Sequence, residues 1–235
     1  ALFKDGVIVK NLLYRSFTSV DVERLFSLYP IRQSIVSSVA NMEPAVINAL
    51  NRLSKKFVLF DHLTPLPIKN CYQTPETLGH DRIAAAVGAA HLCPGQNLLI
   101  VDAGSAVTYD FVSAEQGYLG GNIAPGMQMR LRALHEYTAR LPLVEAEGEV
   151  PGMGYNTETA IRSGVLRGMK YEIEGYIKSM RSKFPHLQVF LTGGNRINFD
   201  TNIKNLIFTD KYIVPRGLNR ILDYNEELRT NSEKA

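Results

Sequence analysis

Two stretches of the sequence concentrate side chains able to do acid–base or ion chemistry. The first is YQTPETLGHDR, residues 72–82, which brings Tyr72, Gly79, His80, Asp81 and Arg82 into one short run. A carboxylate held beside an arginine can accept a hydroxyl proton while that oxygen attacks phosphorus. An arginine can also grip a substrate carboxylate in bidentate fashion. The second is VDAGSAVTYD, residues 101–110, in which Asp102 stands at the end of an apolar run. Gly104 lets the backbone come close to a bound group, and Ser105 offers a hydroxyl and a backbone N–H. A carboxylate can hold a cation there, and N–H and O–H groups can hold phosphate oxygens.

Each of these residues also has an ordinary structural role. Asp102 can simply end a strand at a turn, and Asp81 can cap the helix pattern that follows it. Arg82 can belong to a surface ion pair, and Tyr72 can be a half-buried aromatic. In YNTETAIRSG, residues 155–164, either Asn156 or Thr157 can cap the next helix, with Glu158 in its first turn. A substrate contact there would be added to capping. Two glycine runs, GGNIAPG at 120–126 and LTGGN at 191–195, follow apolar strands. Phosphate or a nucleotide ring can approach backbone at such places, although each run alone is a weak signal. Neither GxxxxGK[ST] nor GxGxxG occurs, so P-loop and Rossmann nucleotide binding are not supported.

These residues need a frame, and the spacing of apolar residues supplies one. Residues 1–15 predict a hairpin turning at Lys4-Asp5-Gly6. A strand is expected over 34–39, a helix over 43–54, a strand over 57–60 and a proline-rich loop over 64–75. A helix of small residues follows over 81–93, and small residues imply close packing. Strands are expected over 98–103, 107–112 and 118–123, then a helix over 126–139. A glycine-rich loop at 148–154 leads to the longest helix, over 157–183. Strands over 188–194 and 206–210 and a helix over 216–229 complete the series. Strands alternating with helices mean an α/β architecture. The opening block ALFKDGVIVKNLL and the block YDFVSAEQGYLGG share one pattern of strand, glycine turn, strand. The chain thus reads as a two-fold repeat, with domains over 1–94 and 95–235, whose first copy lacks its leading strand.

Composition narrows the function classes. With 45% hydrophobic and 21% charged residues, 235 residues can build a real core. A net charge of +3 without basic runs argues against nucleic acid as a partner. No apolar run approaches the roughly 20 residues that span a bilayer, so no membrane partner is expected. Two cysteines outside any CxxC pair, Cys71 and Cys93, fit a reducing cytoplasm. The five histidines lack metal-ligand spacing.

In order and spacing, TLGHDR, VDAGSAVTYD, GGNIAPG and NTETAIRSG closely resemble type III pantothenate kinases, of the superfamily of acetate and sugar kinases, Hsp70 and actin. The likeness runs over nearly the whole chain. It implies two ribonuclease H-like domains with the nucleotide in the cleft between them. It implies ATP-dependent phosphorylation of pantothenate, the first step towards coenzyme A. By the same resemblance Asp81 is the proton acceptor, and Tyr72, Gly79, His80, Asp81 and Arg82 hold pantothenate. Asp102 holds a monovalent cation, K⁺ or NH₄⁺, and Ser105, where the family usually has Thr, contacts ATP phosphate. Thr157 contacts substrate across a homodimer interface, and Mg²⁺ arrives with ATP. The family opens with a DxGNT-type hairpin tip that the given sequence does not contain. The expectation is that the given sequence lacks its N-terminal strand, because the pocket residues downstream are intact; the alternative is a non-catalytic regulatory or accessory relative that keeps the fold.

Overall fold

The structure, a computed structural model, describes residues 1–38, 42–194 and 207–232. Val39, Asn195 and Leu206, which belong to the expected strands and the LTGGN run, lie outside the described residues. By packing, the chain forms two compact units, one of residues 1–92 and 213–235, the other of residues 93–212.

The first unit opens with β1 (Leu2–Lys4) and β2 (Val7–Lys10), an antiparallel pair. Asp5 and Gly6 between them both have positive φ, 51° and 75°. That is the mirror-image turn a two-residue hairpin loop needs, and Asp-Gly suits it. Next come α1 (Ser19–Leu28), β3 (Gln33–Val36), α2 (Pro44–Leu53) and β4 (Lys56–Leu59). Helix α1 is an element the sequence expectations omit, although Val22, Leu25 and Phe26 stand at helical spacing in it. It starts at a capping box in which Thr18 and Asp21 satisfy each other's ends of the first turn. Strands β3 and β4 pair in parallel across the α2 crossover. Val22, Val46, Ala49 and Leu50 form the small core there, with Phe17, Phe26, Val36 and Phe57 around it. A single 3₁₀ turn, Pro75–Thr77, leads into α3 (His80–Leu92).

The second unit holds β5 (Leu98–Ala103), β6 (Ala106–Ser113), β7 (Gly117–Pro125), α4 (Met127–Glu136), α5 (Thr157–Lys183), β8 (Gln188–Thr192) and β9 (Ile207–Thr209). Its strands make one mixed sheet in the order β7-β6-β5-β8-β9. The β7-β6-β5 part is antiparallel and the β5-β8-β9 part parallel. The central strand β5 is covered on both faces, which explains its unbroken apolar run Leu98 to Val101. Helix α5 lays Ile161, Val165, Met169, Ile173 and Ile177, one every four residues, along this core. Unit one repeats the outer parts of that sheet as separate pairs, an antiparallel β1-β2 and a parallel β3-β4.

The last helix, α6 (Ile213–Ser232), departs from the expected division at residue 95. It packs with α3 in the first unit rather than with the second. The reason is the small-residue face of α3, where Gly88 and Gly217 let the two backbones touch. A Cβ on Gly88 would lie 2.3 Å from the Ile213 carbonyl oxygen.

One side chain of the second core makes stability depend on alkaline pH. The Tyr109 hydroxyl donates to Glu172 Oε1 at 2.6 Å, and its ring stacks on Tyr176 with centroids 3.8 Å apart. Glu172 is also paired with Arg130 at 2.7 Å. Burial first, and then the bond to the Glu172 carboxylate, push the Tyr109 phenol well above its usual range. A group whose folded pKa is raised contributes fully below its unfolded value, here about 10, and loses that contribution as pH rises beyond it. Urea midpoints should therefore fall more steeply above pH about 10 in the parent protein than in Tyr109→Phe. Parallel slopes for the two would show that Tyr109 ionises normally.

Candidate active site

The TLGHDR stretch folds into the N-terminal turn of α3. The Gly79 carbonyl accepts the first helical bond, from Ile83 N at 3.2 Å. Asp81 sits exposed in this turn, and its Oδ1 accepts from the Arg82 N–H at 2.9 Å. The carboxylate thus partly fills the capping role foreseen for it, on a helix end whose dipole favours negative charge. A Cβ on Gly79 would come within 2.7 Å of Asp81 Oδ1, so a larger residue there would push that carboxylate aside.

Arg82 departs from the surface ion pair that was one expectation for it. It is 6% exposed, and its guanidinium lies 5.8 Å from the centroid of the half-buried Tyr72 ring. A cation over a tyrosine face is held by the ring quadrupole. Tyr72 is itself fixed by its backbone N–H, which donates to Asn70 Oδ1 at 3.0 Å. His80 packs its ring on Phe60, 5.0 Å between centroids, and its Nδ1 is buried without a hydrogen-bond partner among the described residues. Gly79, His80, Asp81 and Arg82 thus sit at one helix start, with Tyr72 of the preceding loop against Arg82, all within one unit. An exposed carboxylate beside a buried cation on an aromatic ring suits an anionic substrate that also presents a hydroxyl.

The second unit carries Asp102 and Ser105 at the β5–β6 turn. The Gly104 N–H donates to the Ala106 carbonyl at 2.9 Å, which leaves Gly104-Ser105 as the loop and Ser105 exposed at its tip. Asp102 is half-buried and lies within the ladder rather than at the tip, opposite Thr108 on β6 and Thr192 on β8. Residues directly opposite in a sheet share a face, so a carboxylate stands between two threonines. Sequence spacing could not show this row, because strand register is what aligns Thr192 with Asp102. The GGNIAPG run ends at Gly126, whose N–H donates to the Ser105 carbonyl at 3.2 Å. A Cβ on Gly126 would lie 2.3 Å from that oxygen. The run therefore serves to close β7 onto the Ser105 turn.

Thr157 is the first residue of α5 and is exposed. Of the two capping candidates, Asn156 is the cap: its Oδ1 accepts from Thr159 N at 2.9 Å. Thr157 is left with its side chain outside the capping box. Among the described residues no cluster of three or more His, Cys, Asp or Glu could hold a metal ion. A divalent ion that keeps its waters and rides on substrate phosphates needs no such cage. Asp102 is a carboxylate at this end of the sheet, and a carboxylate is an oxygen donor of the kind a hard cation takes. No helix among the described residues is long and apolar enough to cross a membrane.

Known proteins match this arrangement over most of its length. The family model for type III pantothenate kinase matches residues 14–179. A type III pantothenate kinase from Bacteroides fragilis is 50% identical over 226 residues, covering 96% of this chain and 93% of the relative. One from Phocaeicola vulgatus is 46% identical over 228 residues, covering 97% of this chain and 94% of the relative. A solved structure of a conserved Baf family protein from Campylobacter jejuni shares the fold, with a TM-score of 0.57 at 23% identity over 87% of this chain and 89% of that one. The match spans both the α3 turn with its Gly79-His80-Asp81-Arg82 and the Asp102–Ser105 turn, and it shows that this chain belongs to the type III pantothenate kinase family.

Proposed function

We propose that the protein transfers the γ-phosphoryl group of ATP to the hydroxyl of pantothenate, giving 4′-phosphopantothenate for coenzyme A synthesis. The observation that carries this reading is the α3 turn. Exposed Asp81 is positioned to take a hydroxyl proton, and buried Arg82, braced on Tyr72, offers a fixed cation for the pantothenate carboxylate. Gly79 keeps the approach open, and His80 lines it. Ser105 presents its hydroxyl and the turn N–H groups to ATP phosphates. Asp102 holds K⁺ or NH₄⁺, and Thr157 holds pantothenate. When bound with ATP, Mg²⁺ neutralises phosphate charge.

The ribonuclease H-like reading of both halves is supported by the way the first unit repeats the end pairs of the second unit's sheet. A homodimer in the cytoplasm completes the proposal. Met153 and Tyr155, 87% and 70% exposed just ahead of Thr157, are apolar groups that a second copy would cover. The accessory, non-catalytic alternative gains no support from relatives named as kinases.

The test is direct. The purified protein is incubated with ATP, Mg²⁺ and pantothenate, in K⁺ or in Na⁺, and 4′-phosphopantothenate is followed by mass spectrometry. Product should form and should rise with K⁺, and Asp102→Asn should lose the response to K⁺. Absence of product under all conditions would sink the kinase reading. An unchanged K⁺ response in Asp102→Asn would sink only the cation assignment.

A further inference from the structure

Arg162 lies on α5, away from both turns described above, and is 8% exposed. A buried guanidinium must be satisfied, because an unpaired buried charge is costly. Its partners come chiefly from the loop ahead of the helix. Nε donates to the Glu145 carbonyl at 2.9 Å, and Nη1 donates to the Glu149 carbonyl at 3.4 Å. Among the described residues its acidic partner is Glu158, one turn back on the same helix at 3.9 Å. The loop is shaped to receive it. Gly148 has φ +125°, and a Cβ there would lie 2.8 Å from the guanidinium carbon. Only glycine adopts that backbone without strain, and only glycine leaves room for the flat guanidinium.

The rest of the loop is tied to the first turn of α5. The Tyr155 hydroxyl donates to the Glu149 carboxylate. The backbone N–H groups of Tyr155 and Asn156 both donate to Thr159 Oγ1, at 3.1 Å each. A Cβ on Gly154 would strike the Ala160 backbone at 2.3 Å. Residues 145–156 are thus fastened at one end by Arg162 and at the other by Thr159. Thr157 stands where the fastened loop enters the helix.

We infer that Arg162 is a positioning residue for pantothenate. It clamps the 145–149 segment and so fixes where the α5 N-terminus presents Thr157. This rests on the reading that Thr157 contacts pantothenate. Lysine keeps the charge at 162 but cannot span two carbonyls with a planar fork. A small displacement of a substrate-contacting group is enough to cost a large factor in reactivity.

The experiment is steady-state kinetics on Arg162→Lys, Gly148→Ala, Thr157→Ala and the Arg162→Lys/Thr157→Ala double variant, with thermal melts of each. We expect KM for pantothenate to rise about tenfold in Arg162→Lys and in Gly148→Ala, with the change concentrated there rather than in KM for ATP. In the Thr157→Ala background, Arg162→Lys should add little further, because both act through one contact. If Thr157→Ala leaves KM for pantothenate unchanged, the reading of Thr157 fails and the inference with it. If Thr157→Ala raises KM while Arg162→Lys and Gly148→Ala do not, the inference alone is overturned. Full additivity in the double variant, or a fall in melting temperature with both KM values unmoved, would likewise make Arg162 a purely structural residue.

Discussion

Asp81→Asn should lower kcat for pantothenate phosphorylation by roughly 10²–10⁴, the range a general base contributes. Asparagine has the shape of aspartate and keeps an oxygen that can accept from the Arg82 N–H, a bond of 2.9 Å in the parent. The N-terminal turn of α3 therefore keeps its geometry. What is lost is the negative charge, and with it the ability to take a proton from the attacking hydroxyl. Stability should change little, since a charge near a helix N-terminus contributes about 0.3–1 kcal/mol at an exposed position. Arg82 and Tyr72 stay in place to bind the carboxylate, so KM for pantothenate should move far less than kcat. The measurement is steady-state turnover with product followed by mass spectrometry, beside a thermal melt. A kcat within tenfold of the parent, at equal melting temperature, would reduce Asp81 to a helix-end charge.

How much of this site could be read from residue order alone differs between its two parts. The β5 strand was legible from its apolar run Leu98 to Val101, because a central strand covered on both faces has to be apolar, but the run did not show that Asp102 lies within the ladder. The 157–183 helix was equally legible, since its core residues recur every four positions. The α3 turn was legible as a motif but not as an environment. Nothing local distinguishes an arginine destined for a surface ion pair from one that is 6% exposed on a tyrosine ring. Helix α1 is absent from the expected elements although the sequence carries two signals for it: Val22, Leu25, Phe26 and Tyr29 at helical spacing, and the Thr18-x-x-Asp21 capping box. Long-range facts were out of reach altogether. The Asp102–Thr192 alignment depends on parallel register. The Arg162 partners are backbone carbonyls, which every residue has and no sequence pattern marks.

Gly217→Ala should destabilise the protein by about 2 kcal/mol or more, and it should do so through the helix that carries Asp81 and Arg82. The new Cβ would lie 1.7 Å from the Ala84 carbonyl oxygen and 3.0 Å from Gly88 N. Those atoms are backbone, so no rotamer change relieves the clash. Helices α3 and α6 must separate, and Ala84, Ala85 and Ala89 are buried on α3. Overpacking of a tight core costs about 1–3 kcal/mol and occasionally more. A rigid backbone clash belongs at the upper end, and the gain of about 1 kcal/mol from replacing glycine by alanine in a helix offsets part of it. At about 2–4 °C per kcal/mol for a chain of this size, the melting temperature should drop by roughly 4 °C or more. Gly175→Ala is the matched control: the same exchange inside α5, where a Cβ meets nothing within 4 Å. It should raise the melting temperature by about 2–4 °C, from propensity alone. Opposite signs for one chemical change would locate the effect in the α3–α6 contact. Equal melting temperatures for Gly217→Ala and the parent would mean that the two helices are not held backbone to backbone.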